Sequence, residues 1–294
     1  MNNDDMKYLI SIILTSLICS SAHCNTIKIV GSDLLEAPIK EQMSALAKAR
    51  GDTLTIEMTG SVRGLKAFEA ESSDADLAIL AIPREQLDLI AKYKSIPVGY
   101  QSAYILVNPV NSVSEISLLQ LKKIFSKGAG ENFTNWQSLG LQNMRAIQPV
   151  AITSNDNLTV ELFKHVSFPG LNLNEKVLIF NDDTTLESFI KSNNSVIAIS
   201  QIPLQAGKIV AISPVTDEGK TAHASFPTPE NIHSNDYPFN MPFMVVYKAE
   251  NAEKVKPYIR ELLDDNTAQL LDSKGFVSVP KNFRKNFIFE LDTK

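Results

Sequence analysis

Short apolar runs with the periodicity of strands alternate with amphipathic helical segments along most of this 294-residue chain. TIKIV (26–30) and TLTIEM (53–58) alternate apolar and polar residues as half-buried strands do, and DLAILAI (76–82) is a continuous apolar run typical of a buried strand. Between the first two, Ile39, Met43 and Leu46 recur at helical spacing. Strands that alternate with helices predict an α/β fold, with parallel or mixed sheets covered by helices on both faces.

A second set of such segments follows residue 103. Strands are predicted at YILV (104–107), PVAIT (149–153), VLIF (177–180), VIAIS (196–200) and FMVVY (243–247), and helices at 117–125, 158–166, 184–192, 252–264 and 267–274. Residues 215–238 are polar and are predicted to form a loop, and the chain is expected to close with a helix pair. In such sheets ligands bind beyond the carboxyl ends of the strands, so the turns there are the candidate site.

The first 22 residues have the organisation of a cleaved secretory signal peptide. Their apolar segment, from Tyr8 to Ile18, is too short to cross a bilayer as a helix, and small residues follow it. Cleavage is predicted after Ala22, and Met6 fits the pattern of a start residue better than Met1 does. The sequence therefore predicts a periplasmic protein that is not membrane-embedded. The mature chain keeps Cys24 alone, so no intramolecular disulfide is expected.

Composition argues against several classes of function. The chain has 28 basic and 33 acidic residues, a net charge of −5, and its basic residues are scattered, so no nucleic-acid partner is predicted. No metal site and no cofactor are predicted, because the four histidines lack metal-ligand spacing: His23, His165, His223 and His233. No catalytic residue is predicted, because GSVRG lacks the Gly-x-Ser-x-Gly spacing of a hydrolase elbow; a serine triad assembled only in three dimensions stays open.

The stretch TGSVRGLKAF (59–68) places a glycine and a serine ahead of a predicted helix. A helix start leaves backbone N–H groups unpaired and carries a partial positive charge, so it can hold an anion. Gly60 would allow a ligand to approach the backbone, Ser61 could cap the helix or donate to the ligand, and Arg63 brings a full positive charge. An ordinary helix cap beside a solvent-exposed arginine explains the same residues, so this motif alone does not decide between the two.

Several phrases, in the same order along the chain, resemble the periplasmic phosphate-binding proteins of ABC importers, PstS-like members of the type II periplasmic binding protein superfamily. They are the Gly31-Ser32 turn, GSVRGLKAF (60–68), ADLAI (75–79), LKKIFSKGAGENFTNWQSLG (121–140), ENIHSNDYPFNMPFMVVY (230–247) and GFVSVP (275–280). The resemblance spans nearly the whole mature chain. It implies an α/β, two-lobed periplasmic-binding-protein fold in which each lobe is a mixed sheet flanked by helices. Lobe one would comprise residues 23–104 plus 239–294 and lobe two residues 105–238, with crossings near Ala103 and Phe239.

The same resemblance implies a monomeric, exported solute-binding protein without catalytic activity. Its ligand would be phosphate or another small oxyanion, and its partner an ABC permease at the inner membrane. The residues predicted to bind the ligand, from the resemblance together with the charge of the TGSVRG stretch, are Ser32, Ser61, Val62, Arg63, Asn157 and Thr159.

The chain departs from the family pattern at several ligand positions, and where the family has Ser-Gly-Thr this chain has Asn157-Leu158-Thr159, of which only Thr159 is retained. The family's threonine in the first turn falls at Leu34, and its proton-accepting carboxylate falls near Leu80 or Ala81. Its arginine in lobe two aligns with Thr153, so Arg63 would have to supply the cation from the opposite lobe. Each charge-assisted hydrogen bond lost is worth about 1.5–3 kcal/mol, which is about tenfold to a hundredfold in affinity.

These departures leave an alternative open. The scaffold would then serve a different solute, or act as a sensor that binds a protein partner without binding phosphate. A neutral or cationic solute would suit the two carboxylates of Asp33 and Asp156 if they face each other across the cleft. Asp156 or Asn157 would otherwise serve only as a helix cap.

Overall fold

The protein contains two mixed sheets, each flanked by helices. The computed structural model describes residues 25–128, 130, 132–141, 146–153, 158–215 and 223–293. The strands are Thr26–Gly31 (β1), Thr53–Glu57 (β2), Leu77–Ala81 (β3), Lys94–Ser102 (β4), Tyr104–Val107 (β5), Glu115–Ser117 (β6), Gln148–Ile152 (β7), Leu178–Phe180 (β8), Val196–Ser200 (β9), Lys208–Ile209 (β10), Ala211–Ser213 (β11), Asn240–Tyr247 (β12) and Val277–Ser278 (β13). The α-helices are Glu36–Arg50 (α1), Ser61–Glu69 (α2), Leu118–Phe125 (α3), Thr159–Ser167 (α4), Asp183–Ser192 (α5), Pro229–Ser234 (α6), Ala252–Leu262 (α7), Asp265–Ser273 (α8) and Lys281–Thr293 (α9). Short 3₁₀ helices cover Asp33–Leu35, Arg84–Ile90, Trp136–Leu139 and Ala249–Asn251.

The first lobe is built on a six-stranded sheet in the order β13-β4-β12-β3-β1-β2. β1 pairs in parallel with β2 and β3, whereas β12 runs antiparallel to β3 and β4. The carboxyl ends of β1, β2 and β3 therefore lie at one edge of the sheet, where the three predicted turns follow them.

Both faces of this sheet are buried, as side-chain alternation along its central strands requires. On β3, Leu77 and Ile79 pack with α1 and α7 in one apolar cluster, while Ala78 and Leu80 pack on the other face with Phe68 of α2. Helices on both faces hold the strand ends in fixed positions, so the turns that follow them are rigidly placed.

The second lobe is built on a five-stranded sheet in the order β10-β5-β9-β7-β8. β7 pairs in parallel with β8 and β9, and β5 runs antiparallel to β9. Its core includes the fully buried Trp136, Phe125 and Phe163, and β6 and β11 form a separate two-stranded ribbon. Trp136 therefore packs within its own lobe.

Two adjacent crossings join the sheets. The chain leaves the first sheet after Ser102 and enters the second at Tyr104, and it returns through Phe239 into β12. The Ser102 hydroxyl donates to the Phe239 carbonyl at 2.7 Å, and the buried Tyr237 hydroxyl donates to the Ala103 carbonyl at 2.7 Å. The two crossing segments are thus hydrogen-bonded to each other and lie side by side between the sheets.

The structure confirms the predicted fold class and extends the list of elements. The loop predicted over 215–238 is wrong in part, because it contains α6, which begins at a Thr228 cap with Pro229 in its first turn. The closing helix pair is followed by a third helix, α9, that was not predicted. β4 was also missed, because Pro97 and Gly99 interrupt its pattern.

Candidate functional site

The carboxyl ends of β1 and β3 and the turn after β2 are hydrogen-bonded to one another. The Ser32 N–H donates to the Ile79 carbonyl at 2.7 Å, and the Gly60 N–H donates to the Gly31 carbonyl at 2.8 Å. The Ala81 N–H donates to the Ser61 hydroxyl at 2.9 Å. These bonds bring the predicted residues Ser32 and Ser61 into one site.

Two glycines allow α2 to lie against the end of β1. A Cβ built on Gly64 would lie 2.4 Å from the Cα of Gly31, a distance that no real contact reaches. Gly31 itself has a φ of 142°, and a Cβ there would meet the Ile79 carbonyl oxygen at 1.9 Å. Glycine at both positions is therefore required for the start of α2 to reach the sheet edge.

The first turn of α2 presents unpaired hydrogen-bond donors. Gly60 caps the helix without a side-chain hydrogen bond, so the N–H groups of Ser61, Val62 and Arg63 have no intrahelical partners. The Ser61 oxygen accepts from Ala81, which leaves the hydroxyl hydrogen to be donated elsewhere. The arrangement is rich in donors and suits an anion.

The two residues after Ser61 face solvent. Val62 is 71% exposed, so its contribution to a ligand would come from its N–H group. Arg63 is exposed and forms no hydrogen bond or ion pair with the described residues. Its charge is therefore not neutralised by a described partner.

Ser32 follows β1 and is almost completely buried at 2% exposure. Its hydroxyl makes no hydrogen bond with the described part of the chain. Two of the positions that depart from the family pattern supply no polar side-chain atom, because Leu34 packs against the apolar core and Leu80 is buried. Asp33 is exposed, and Asp156 lies outside the described residues.

Thr159 begins α4 and is fully buried. Its hydroxyl accepts from Gln101 Nε2 at 3.2 Å, and it lies 3.5 Å from the Ser102 carbonyl oxygen. This residue of the second lobe thus contacts the strand that carries the crossing. Asn157, the other residue predicted in this lobe, lies outside the described residues.

Gln101 was not singled out in the sequence, although it is a polar residue within the largely apolar run VGYQSAYILV. Its side chain is fully buried, and Oε1 has no hydrogen-bond partner among the residues that the structure describes. A buried amide oxygen without a partner is unfavourable, and here it lies on the strand that leads into the crossing.

Arg84, on the segment after β3, anchors the returning crossing. Its Nε donates to Asn240 Oδ1 at 2.7 Å, and its Nη2 donates to the carbonyls of Ile232 and His233 at 3.1 and 2.9 Å. Arg84 is therefore largely occupied by structural contacts, and it does not replace the family's arginine.

An aromatic cluster surrounds the Arg84 guanidinium, which lies 5.8 Å from the centre of the Tyr100 ring. The Tyr100 hydroxyl and His233 Nδ1 are 2.7 Å apart. Burial raises the pKa of Tyr100 to about 12. Burial, together with the nearby charge of Arg84, lowers the pKa of His233 below its ordinary value. The lowered pKa favours the neutral form of the His233 imidazole in its contact with Tyr100.

A second histidine joins the two lobes. His165 Nε2 on α4 and Glu85 Oε1 on the segment after β3 are 2.5 Å apart. Burial raises the pKa of Glu85, but its own N–H group and His165 stabilise the carboxylate more, so the net pKa lies below the ordinary value. The pair holds α4 of the second lobe against the first lobe.

Two further findings concern metal ions and membranes. Within the described ranges, no group of three or more His, Cys, Asp or Glu side chains could hold a metal ion. Across the same residues, no helix combines the length and the apolar character needed to span a bilayer.

Comparison with known proteins gives a consistent picture. Residues 20–266 match the family model described as a PBP superfamily domain. Protein SphX of Synechococcus elongatus is 25% identical over 256 residues, which are 83% of this chain and 74% of SphX.

Among solved structures, a possible phosphate binding protein from Planctomyces limnophilus superposes with a TM-score of 0.68 at 22% identity, covering 92% of this chain and 98% of that one. An ABC-type phosphate transport receptor from Vibrio cholerae superposes with a TM-score of 0.60 at 19% identity, covering 85% and 99%. At these identities the two structures establish a shared fold.

Proposed function

This chain belongs to the PBP superfamily, and from that premise we propose that it is an exported, non-catalytic solute-binding protein that binds phosphate or another small oxyanion. The observation that carries the proposal is the first turn of α2, where three unpaired N–H groups, the Ser61 hydroxyl and the Arg63 charge lie together. The names of two structural relatives, a phosphate binding protein and a phosphate transport receptor, support the same ligand class.

The anion would bind at the start of α2. The amides of Ser61, Val62 and Arg63 would donate to its oxygens, and the Ser61 hydroxyl would donate its remaining hydrogen. Ser32 lies on the neighbouring strand end with a hydroxyl that has no described partner, so it can donate as well. Asn157 and Thr159 would complete the site from the second lobe, with Thr159 placed by its contact to Gln101.

Binding would be coupled to closure of the two lobes. We assign lobe one to residues 23–104 plus 239–294 and lobe two to residues 105–238, moving about the crossings at Ala103 and Phe239. A ligand that contacts both lobes favours the closed form by its differential affinity for that form. The closed monomer would then be recognised by an ABC permease at the inner membrane, after export directed by residues 1–22.

The Arg63→Ala variant tests this assignment. Removing the charge is expected to weaken phosphate binding at least tenfold, since a charge-assisted hydrogen bond contributes about 1.5–3 kcal/mol. Affinity would be measured by calorimetry after unfolding and refolding to remove carried ligand. Lys66→Ala is the matched control, because Lys66 is an exposed cation on the same helix outside its first turn. Equal affinities in Arg63→Ala and the wild type would remove Arg63 from the site.

A further inference from the structure

A cavity of about 560 Å³ lies between the lobes, and its lining includes Leu158, the residue before Thr159. One wall is the segment Pro83–Glu85 that follows β3, the opposite wall is α4 with the residue before it, and the base comes from the returning crossing. Its volume is within the roughly 300–1,000 Å³ of small-molecule sites, and a single inorganic oxyanion would leave most of it unfilled.

The cavity has a mixed lining, in which six apolar residues lie beside Arg84, Asn235 and Asn240 and beside three charged or titratable residues at the rim. Its apolar lining is Pro83, Leu158, Leu162, Val166, Pro238 and Met241. Leu162 and Met241 are buried, whereas Glu85, Glu161 and His165 at the rim are exposed. The apolar side chains offer an organic group a surface to bury, and the Arg84 guanidinium beside them already donates to Asn240 and to two backbone carbonyls.

The cavity begins beside the anion site on both walls. Ala81, whose N–H is bonded to Ser61, precedes Pro83 by two residues, so their Cα atoms lie within about 8 Å of each other. On the other wall, Leu158 directly precedes Thr159. Ala81, Ile82 and Pro83, which connect Ser61 to this wall along the chain, carry no polar side-chain atom.

The Glu85–His165 contact spans the rim of the cavity from one wall to the other. It joins the segment after β3 to α4 at 2.5 Å, between two side chains that are about half exposed. A substituent on a bound anion would therefore be enclosed by both lobes.

We propose that this cavity is a second compartment of the ligand site, and that it takes the apolar substituent of an organic phosphonate or phosphate monoester. This inference rests on the proposed function, since the anionic head would bind at Ser61–Arg63. Methylene groups that enter the cavity leave water, and each should raise affinity about fourfold.

The test is a ligand series with a constant head group: inorganic phosphate, methylphosphonate and butylphosphonate, each titrated by calorimetry into the refolded protein. Butylphosphonate is expected to bind at least tenfold more tightly than methylphosphonate. Leu158→Trp and, as a second variant, Glu161→Trp place a large ring at the exposed edge of the cavity. Both should reduce butylphosphonate affinity to that of methylphosphonate while phosphate affinity changes less than twofold.

Leu178→Trp is the matched control, because Leu178 is 43% exposed, Leu158 is 40% exposed, and Leu178 lies on β8 away from the cavity. If phosphate binds but butylphosphonate binds no more tightly than methylphosphonate, this inference is overturned and the proposed function still stands. The inference would also be overturned if butylphosphonate still bound more tightly than methylphosphonate in both Leu158→Trp and Glu161→Trp. Absence of binding by phosphate and by both phosphonates would overturn the two proposals together.

Discussion

At the scale of single residues, the first turn of α2 combines a rigid position with unpaired donors. Gly64 sets where the helix lies, because the absence of a side chain lets α2 pack directly against the backbone of Gly31. Ser61 links the turn to β3 by accepting from Ala81, and this bond leaves its own hydrogen for a ligand. Preorganised donors bind an anion without first being reordered, so rigidity here contributes directly to affinity.

The Gly64→Ala substitution tests that rigidity. Alanine favours a helix by about 1 kcal/mol over glycine, but the clash with the Gly31 backbone should outweigh this gain. We expect a net loss of about 1–3 kcal/mol in the free energy of unfolding, measured by urea denaturation. Ala67→Gly, on an exposed position of the same helix, should lose only the propensity difference of about 1 kcal/mol. A Gly64→Ala protein as stable as the wild type would show that the contact is not tight.

His233 predicts a pH dependence of stability. Its pKa is lowered in the folded state by burial and by Arg84, so the unfolded chain binds the proton more readily. The free energy of unfolding should therefore fall as pH drops from the unfolded value of about 6.5 through the lower folded value. Urea titrations at pH 7.5 and pH 5 would measure this fall.

The control for this prediction is a second histidine. His233→Asn should reduce the fall in stability between the two pH values, whereas His223→Asn, at an exposed position, should keep it. Equal pH dependence in His233→Asn and the wild type would assign the effect to other groups.

At the scale of elements, sequence periodicity predicted the parallel strands and their helices. A strand or helix that buries one or both of its faces must carry apolar residues at regular spacing, and this spacing can be read from the sequence. β4 escaped prediction because Pro97 and Gly99 disturb its pattern, and its pairing with β12 shifts register there, since Phe243 and Met244 face Gly99 and Pro97 and leave Val98 of β4 as the extra residue. α9 carried a readable signal, since Phe283, Phe287 and Leu291 are spaced four residues apart.

Arg284 is the buried residue of α9, and it binds the helix to the first lobe alongside the packing of Phe287, Ile288 and Leu291. Arg284 is 8% exposed; its Nε donates to the Val279 carbonyl at 2.9 Å, its Nη1 to the Leu263 carbonyl at 2.8 Å, and its Nη2 lies 2.8 Å from Asp265 Oδ1. Arg284→Ala should therefore lower the free energy of unfolding by about 3 kcal/mol, because it leaves these acceptors unpaired.

Urea denaturation checks this value, with Lys285→Ala as the exposed neighbour whose change should stay within about 0.5 kcal/mol. A loss of the same size in both variants would show that α9 does not depend on Arg284.

At the scale of the whole molecule, the two-lobed fold could be predicted because the motifs of this chain occur in the same order as in the periplasmic phosphate-binding proteins. The site could be predicted only in part. Ser32 and Ser61 lie at strand ends whose positions follow from the sheet, so local sequence located them. The contact of Thr159 with Gln101 joins residues 58 positions apart on different lobes, and no local pattern encodes it. The same holds for Glu85 and His165, 80 positions apart, which looked isolated in the sequence.

The central claim is that an oxyanion binds to the amides at the start of α2. It is tested most directly by amide hydrogen exchange, followed residue by residue by nuclear magnetic resonance, in ligand-stripped protein with and without phosphate. Phosphate should slow exchange at Ser61, Val62 and Arg63, whose N–H groups have no intrahelical partners. Unchanged exchange at these three amides in phosphate-saturated protein would contradict the claim and place the ligand elsewhere.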